Sequence, residues 1–260
     1  GDGDLSARVP EQGEDEVADL SKRFNAAAAR VETLVRSHKS LLANASHELR
    51  SPLTRIRMGL ELMGTNATPS ETTKAEISRN IGELDQLIDE ILLASRLDAR
   101  EADMGTVETV DLTGLAAEEC ARVGAELDLA EGTHSDGLNV PGVARLLRRA
   151  VRNLLENARR YGAGEISVEL AADAQHAQVR VNDRGPGVPP ALRQRIFEPF
   201  YRLPGASERE GGVGLGLALV KSIVERHGGS VRCEDRDGGG ASFVIALPRN
   251  GSAAQSLSKP

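Results

Sequence analysis

Apolar residues recur at alternating steps of three and four from Val17 to Met63, and that spacing commits the first part of the chain to long helices. Val17, Leu20, Phe24, Ala27, Val31, Leu34 and His38 form one run. Leu42, Ala45, Leu49, Pro52, Ile56, Gly59 and Met63 form a second. The junction 34–38–42 takes two steps of four in succession, a stutter that changes coiled-coil winding locally. A second helix carries the seam Ile77, Ile81, Leu84, Ile88, Ile91 and Ser95. Between the helices, Gly64 to Ser70 contains Gly, Asn, Thr and Pro and is expected to be a loop. Apolar seams on two helices cannot close an adequate core alone. Two such hairpins together make a four-helix bundle, so a homodimer is expected.

From about residue 104 the pattern changes. Val107 to Leu112, Ile166 to Leu170, Gln178 to Val181 and Ser242 to Leu247 read as strands. Val143 to Arg160 and Leu215 to His227 read as helices between them. The mixture predicts an α/β layer domain. Residues 124 to 142 give a weak signal and are not assigned. Gly251 to Pro260 is small and polar, the composition of a disordered tail. The fold class is therefore α plus α/β, a dimeric four-helix bundle followed by an α/β sandwich.

Composition removes some functions. The chain has no Trp, only 2% aromatic residues and a formal charge of −7. Base stacking needs aromatic platforms and phosphate binding needs cations, so a nucleic-acid partner is not expected. Cys120 and Cys233 lie far apart, with no Cys/His cluster for zinc, and read as buried, inert thiols. No run of about 18 uncharged apolar residues is present, so no bilayer span is expected.

Asn44-Ala45-Ser46-His47-Glu48-Leu49-Arg50-Ser51-Pro52-Leu53-Thr54 sits on the first helix. With Leu49 at heptad position a, His47 falls at f, the outermost position. A neutral imidazole is a competent nucleophile near neutral pH, and Glu48 beside it can polarise the ring or take its proton. Pro52 removes the helical hydrogen bond to the Glu48 carbonyl, at a cost of roughly 3 kcal/mol in an ordinary helix interior. A bend or loosened turn is expected just past His47. Further along, Thr54, Arg55, Arg57 and Met58 face outward, and the two cations are expected to steer an acidic protein partner toward His47.

Four segments of the second region carry nucleotide-binding chemistry. Asn153, Asn157 and Arg160 share one helix face at i, i+4 and i+7. An amide oxygen suits Mg²⁺ already carrying phosphates, and a nearby cation neutralises phosphate charge. Asp183-Arg184-Gly185-Pro186-Gly187 follows a strand, where a carboxylate can accept a hydrogen bond from an exocyclic amine. Ile196-Phe197-Glu198-Pro199-Phe200-Tyr201-Arg202 precedes a polar stretch and reads as an anchored hinge or as plain core. Gly212-Val213-Gly214-Leu215-Gly216-Leu217 opens a helix, whose first amides suit phosphate. That helix ends at His227-Gly228-Gly229, with His227 as a capping residue.

The His47 segment resembles the phosphoacceptor box of histidine kinases, His-Glu-Leu-Arg-Ser-Pro-Leu. In that family Thr or Asn usually stands four residues after the histidine, where it helps orient a water that dephosphorylates the partner. Ser51 stands there in this sequence. The other four segments resemble, in order, the N, first G, F and second G boxes of histidine kinase ATP domains. Hsp90-, gyrase- and MutL-type ATPases share parts of these. Gly3-Asp4-Leu5-Ser6-Ala7-Arg8-Val9 with Asp19-Leu20 and Phe24-Asn25 resembles the second half of a HAMP signal relay.

The resemblance implies ATP and Mg²⁺, with Asn157 on the metal, Asp183 on the adenine amino group, and Asn153, Gly185 and Gly187 in the nucleotide site. Arg160, Tyr161 and Arg202 would lie near ribose or phosphates. Gly212, Gly214, Gly216 and Leu217 would belong to a lid at about residues 201 to 216. It also implies phosphoryl transfer from His47 to an Asp of a response regulator receiver domain. The implied domains are a HAMP-like relay and linker at 1–37, a phosphotransfer hairpin at 38–103, an ATP domain at 104–250 and the tail at 251–260. In the full-length protein this part is expected on the cytoplasmic side of a bacterial inner membrane, held by an N-terminal transmembrane part. Two rivals remain at this point: an ATP-driven conformational machine without phosphohistidine, and a non-catalytic dimeric scaffold.

Overall fold

In a computed structural model, residues 6–11, 16–65, 71–98, 105–133, 138–162, 164–204 and 213–249 are described. Helix α1 spans Glu16–Thr65 and α2 spans Glu71–Asp98. They are followed by β1 (Glu108–Asp111), α3 (Leu112–Val123), β2 (Glu126–Leu129), β3 (Asn139–Gly142) and α4 (Ala144–Tyr161). Then come β4 (Ser167–Ala172), β5 (His176–Asn182), α5 (Gly216–Arg226), β6 (Ser230–Asp235) and β7 (Ala241–Pro248). The chain divides into two compact units, residues 1–91 and 92–260. The end of α2 counts with the second unit, where Leu97 is buried in the core.

In the first unit α1 and α2 form a hairpin. They approach closely where Gly59 meets Ile77: a Cβ on Gly59 would lie 2.8 Å from the Ile77 side chain. Ala45 and Pro52 on α1 and Leu87 on α2 are buried. Helix α1 passes unbroken through Pro52 and includes Gly64 and Thr65, so the expected loop starts later than Gly64. The remainder of that loop, Asn66 to Ser70, lies outside the described residues, as do the side chains at the 34 and 38 positions of the stutter and the tail from residue 251.

The buried stripe departs from the sequence seam at two places. On α2, Ile81 and Ile88 are exposed while Leu87 is buried. On the first part of α1, Ala18 and Ser21 are buried, whereas Val17, Leu20, Phe24 and Val31 are exposed by 66%, 68%, 55% and 46%. The segment from Ser6 to Glu11 explains the second difference. Asn25 accepts the Val9 N–H and donates to the Val9 carbonyl (2.9 and 2.8 Å), and Arg8 pairs with Glu32 (2.6 Å). That segment is held to the Asn25–Glu32 side of α1.

The second unit is a helix layer on a five-stranded sheet of order β2-β4-β5-β7-β6, with β2 parallel to β4 and the other pairs antiparallel. A separate two-stranded ribbon joins β1 to β3. Helix α4 buries Leu146, Leu147, Ala150, Val151, Leu154, Leu155 and Ala158, and each large apolar side chain so buried contributes about 1.5–3 kcal/mol. The strand expected over Val107 to Leu112 ends at Asp111 because Asp111 caps a helix: its carboxylate accepts the N–H groups of Thr113 (2.9 Å) and Gly114 (3.1 Å). Leu112 is thus the first residue of α3. The unassigned stretch 124–142 contributes β2 and β3, and β6 is a further strand that the periodicity did not mark. Cys120 and Cys233 are free and buried, and burial pushes their thiols up to about 11 and about 12. Both are neutral, unreactive groups at physiological pH.

Candidate functional site

His47 and Ser51 are exposed on α1, Glu48 and Leu49 are half-buried, and Ala45 and Pro52 are buried. The imidazole is therefore presented outward, as heptad position f requires. Just beyond it, a hollow of about 340 Å³ is lined by Ser46, Leu49, Arg50, Leu53, Thr54 and Arg57. Thr54, Arg55, Arg57 and Met58 are all exposed, as expected. The two arginines are not lone steering charges, however. Arg57 Nε donates to Glu61 (3.1 Å), and Arg55 Nη2 donates to Glu83 of α2 (2.8 Å). Each cation is paired, so the field they project is weaker than two isolated charges would give.

In the second unit, the residues singled out by sequence converge where the end of α4, the end of β5 and the start of α5 meet. Asp183 follows the last residue of β5 and is 4% exposed. Its Oδ1 accepts the N–H of Gly185 (2.8 Å) and of Ala241 (3.3 Å), and its own N–H donates to the Ala241 carbonyl (2.9 Å). Oδ2 has no hydrogen-bond partner among the described residues. A carboxylate fixed through one oxygen with the other available is suited to accept from an amine. The turn is built around it. A Cβ on Gly185 would lie 2.4 Å from the Tyr161 carbonyl oxygen, and one on Gly240 would lie 2.0 Å from that of Asp183. Gly187 completes the turn at φ +74. Gly240 escaped the sequence reading although it sits in a run of three glycines, because its role depends on β7 lying beside β5.

The polar face of α4 rises out of the core. Asn153 is buried, Asn157 half-buried and Arg160 exposed. Asn153 Nδ2 donates to the Gly216 carbonyl at the start of α5 (3.1 Å). The side chain of Asn157 makes no hydrogen bond to any described residue, so its amide oxygen is available. The two asparagines therefore differ in commitment: one positions α5, and the other can hold a ligand. Magnesium with phosphates fits the second, since a neutral oxygen donor completes a shell already rich in anionic oxygens. Tyr161, the last residue of α4, and Arg202 are half-buried.

The two phenylalanines of the expected hinge have separate roles. Phe197 is buried in the core. Phe200 takes φ 62, and its N–H donates to the Gly214 carbonyl (2.9 Å). A non-glycine residue in this region is strained by about 1–3 kcal/mol and persists only where its surroundings hold it. Gly214 has φ +79, and a Cβ there would lie 2.9 Å from the Phe200 backbone. Tyr201, next in sequence, lies under the Arg195 guanidinium at 4.4 Å. Gly212 lies outside the described residues; Gly216 is the first residue of α5, and Leu217 packs half-buried against the core. No sequence signal marks an aromatic residue for positive φ.

Three family models match the chain. Residues 142–251 match the histidine kinase-, DNA gyrase B- and HSP90-like ATPase family, residues 37–100 the His Kinase A (phospho-acceptor) domain, and residues 1–33 the HAMP domain. Sensor protein RstB of Escherichia coli K12 is 34% identical over 259 residues, covering 95% of this chain and 57% of RstB. The signal transduction histidine-protein kinase/phosphatase MprB of Mycobacterium sp. strain KMS is 36% identical over 257 residues, covering 92% of this chain and 49% of MprB. The chain thus spans about half the length of these relatives. Among solved structures, histidine kinase ThkA in complex with response regulator protein TrrA superposes with a TM-score of 0.67 at 24% identity, over 91% of this chain and 68% of that one. This likeness shows a shared fold.

Proposed function

We propose, for a chain that belongs to the sensor histidine kinases of two-component systems, that it uses ATP to phosphorylate its own His47 and passes the phosphoryl group to an aspartate of a response regulator. The observation that carries this reading is the pairing, in one chain, of an exposed His47 beside Glu48 with a nucleotide-type site built on Asp183, Asn157 and the turn around Gly185 and Gly187. ATP binds the second unit, with Asp183 accepting from the adenine amino group. Arg160, Tyr161 and Arg202 lie toward ribose or phosphates. Mg²⁺ held by Asn157 would neutralise triphosphate charge. A ring nitrogen of His47 then attacks the γ-phosphorus in line, the bond from that phosphorus to the β,γ-bridging oxygen breaks with its electron pair on the departing ADP, and Glu48 polarises the imidazole or accepts its proton. Positioning and charge neutralisation dominate such a transfer.

By the same reading the chain divides into a HAMP-like relay at 1–37, a phosphotransfer hairpin at 38–103 and an ATP domain at 104–250, and the family-model ranges support this partition. The hairpin works as a homodimer. Leu42, Ile81 and Ile88, all seam positions of the hairpin, are exposed in the single chain, and covering each by a second copy contributes about 1.5–3 kcal/mol if burial is complete. Among the described residues no helix is long and apolar enough to cross a membrane. The HAMP match supports placing this part on the cytoplasmic side of a membrane-held sensor. MprB is named a kinase/phosphatase, and we extend dephosphorylation of the regulator to this chain, with Ser51 at the water.

Incubation with γ-labelled ATP tests the reading. Acid-labile, base-stable label is expected on the protein and none on His47→Gln, with nucleotide binding nearly intact. Label retained on the variant rejects His47 as acceptor, and ATP hydrolysis without any protein label makes the chain a conformational ATPase.

A further inference from the structure

We propose that Arg55 is a positioning residue that orients the Ser51 hydroxyl for dephosphorylation of the regulator; this rests on the function proposed above. Four other described hydroxyls on α1 give their protons to the carbonyl one turn back: Ser21 to Val17, Thr33 to Ala29, Ser46 to Leu42 and Thr54 to Arg50, at 2.8–2.9 Å. Ser51 makes no such bond among the described residues. Its oxygen instead accepts from Arg55 Nη1 (3.2 Å). The proton and one lone pair of Ser51 stay available for a water.

Arg55 is itself held by the neighbouring helix. Its Nε donates to Asn80 Oδ1 (2.5 Å) and its Nη2 to Glu83 (2.8 Å). Asn80 is anchored in turn, its Nδ2 donating to the Glu76 carbonyl (2.7 Å). A planar guanidinium with all three nitrogens engaged has one orientation, which a lysine ammonium cannot reproduce. Serine lacks the γ-methyl that restricts the side-chain torsion of threonine. The bond from Arg55 replaces that restriction from outside and makes it depend on the registry of α1 against α2. In the reaction, the water oxygen bonds to phosphorus and the acyl P–O bond breaks with its electron pair on the aspartate. Aspartyl phosphate and water give aspartate and dihydrogen phosphate, which keeps both protons of the water.

The test compares wild type, Arg55→Lys, Ser51→Thr and the double variant in two assays. One is autophosphorylation with ATP. The other is release of phosphate from the receiver protein that the phosphorylated chain labels fastest, loaded beforehand with phosphoramidate. Arg55→Lys is expected to slow dephosphorylation about three- to tenfold, the worth of one partly exposed charged hydrogen bond, with autophosphorylation within about twofold. In the Ser51→Thr background the same substitution should cost less than about twofold, because the methyl restricts the torsion itself. Equal loss of both reactions, no loss of dephosphorylation, or the same loss beside Thr at this position overturns the proposal. A wild-type chain that autophosphorylates but does not shorten the receiver's phosphorylated lifetime overturns the proposal and leaves the kinase reading standing. A wild type that forms no phosphohistidine overturns both.

Discussion

The imidazole of His227, at the end of α5, accepts the backbone N–H of Val143, at the start of α4, through Nε2 at 3.0 Å. Its Nδ1–H donates to the Ile223 carbonyl (2.7 Å). With Asn153 bonded to Gly216 at the other end of α5, a buried side chain ties each end of that helix to α4 or its N-cap. His227 is 1% exposed, and it holds these two bonds only as one neutral tautomer.

Burial, with Arg226 nearby, lowers the His227 pKa from its ordinary 6.5 despite the bond to Ile223. The folded imidazole therefore binds a proton less readily than the unfolded one. Its contribution is fully present above about pH 6.5 and declines as pH falls from there through the lower folded value. Thermal midpoints measured between pH 8 and pH 5 should fall on the acid side, and His227→Gln should flatten that fall. His227→Ala should cost about 1–3 kcal/mol at pH 7.5 by orphaning the Val143 N–H. An unchanged acid slope in His227→Gln would assign the pH dependence to other groups.

Asn153 and Asn157 should separate in a paired measurement. Asn153→Ala leaves the Gly216 carbonyl without its side-chain donor in a buried place, and should lower stability by about 1–2 kcal/mol without nucleotide. Asn157→Ala removes a half-buried amide with no bond to lose. It should change stability by less than about 0.5 kcal/mol while weakening Mg²⁺-dependent ATP binding. Denaturation of the free proteins and ATP titration with and without Mg²⁺ give both numbers.

Gly214 and Gly216 divide in the same way between chain and ligand. Gly214→Ala places a Cβ at positive φ, 2.9 Å from the Phe200 backbone, and should cost more than about 1 kcal/mol in the free protein. A Cβ on Gly216 meets only Asn153, at 3.8 Å or more. Gly216→Ala should leave the free protein within about 0.5 kcal/mol, so any loss of ATP affinity reports direct approach of phosphate to the helix start. Urea midpoints beside ATP titrations distinguish the two.

Glu119 on α3 is 2% exposed and accepts from Arg152 (Nε 2.9 Å, Nη2 2.8 Å) and Arg148 (3.3 Å) on α4. The Arg152 guanidinium holds its carboxyl below the ordinary 4.5, against the opposing effect of burial. The stability from this pair is present above the unfolded carboxylate range and is lost as pH falls through the lower folded value. Glu119→Gln should therefore destabilise by about 1–3 kcal/mol at pH 7, and by less at pH 3. Acid and neutral denaturation curves of the two proteins check the sign. A deficit that grows toward low pH would contradict it.

The sequence by itself determined the elements whose cause is local. The spacing of Ala45, Leu49, Pro52 and Ile56 makes a helix and turns His47 outward, because helical geometry fixes which residues share a face. Asp183 at a strand end and the glycines at 185, 187, 214 and 216 were legible for a related reason: their chemistry and backbone needs are written in residue type and order. Tertiary structure decided what depends on a partner distant in the chain. Leu112 left its strand for α3 once Asp111 capped that helix, and β2, β3 and β6 are too short to announce themselves without the strands they pair with. Asn153 and Asn157 look equivalent one turn apart on α4, and only the arrival of Gly216, 63 residues later, commits the first and leaves the second available. Arg55 read as one of two outward steering cations until Asn80 and Glu83 of α2 came alongside. Periodicity says which face a side chain occupies, but a hydrogen bond also needs its second atom, and the fold alone brings that atom within 3 Å.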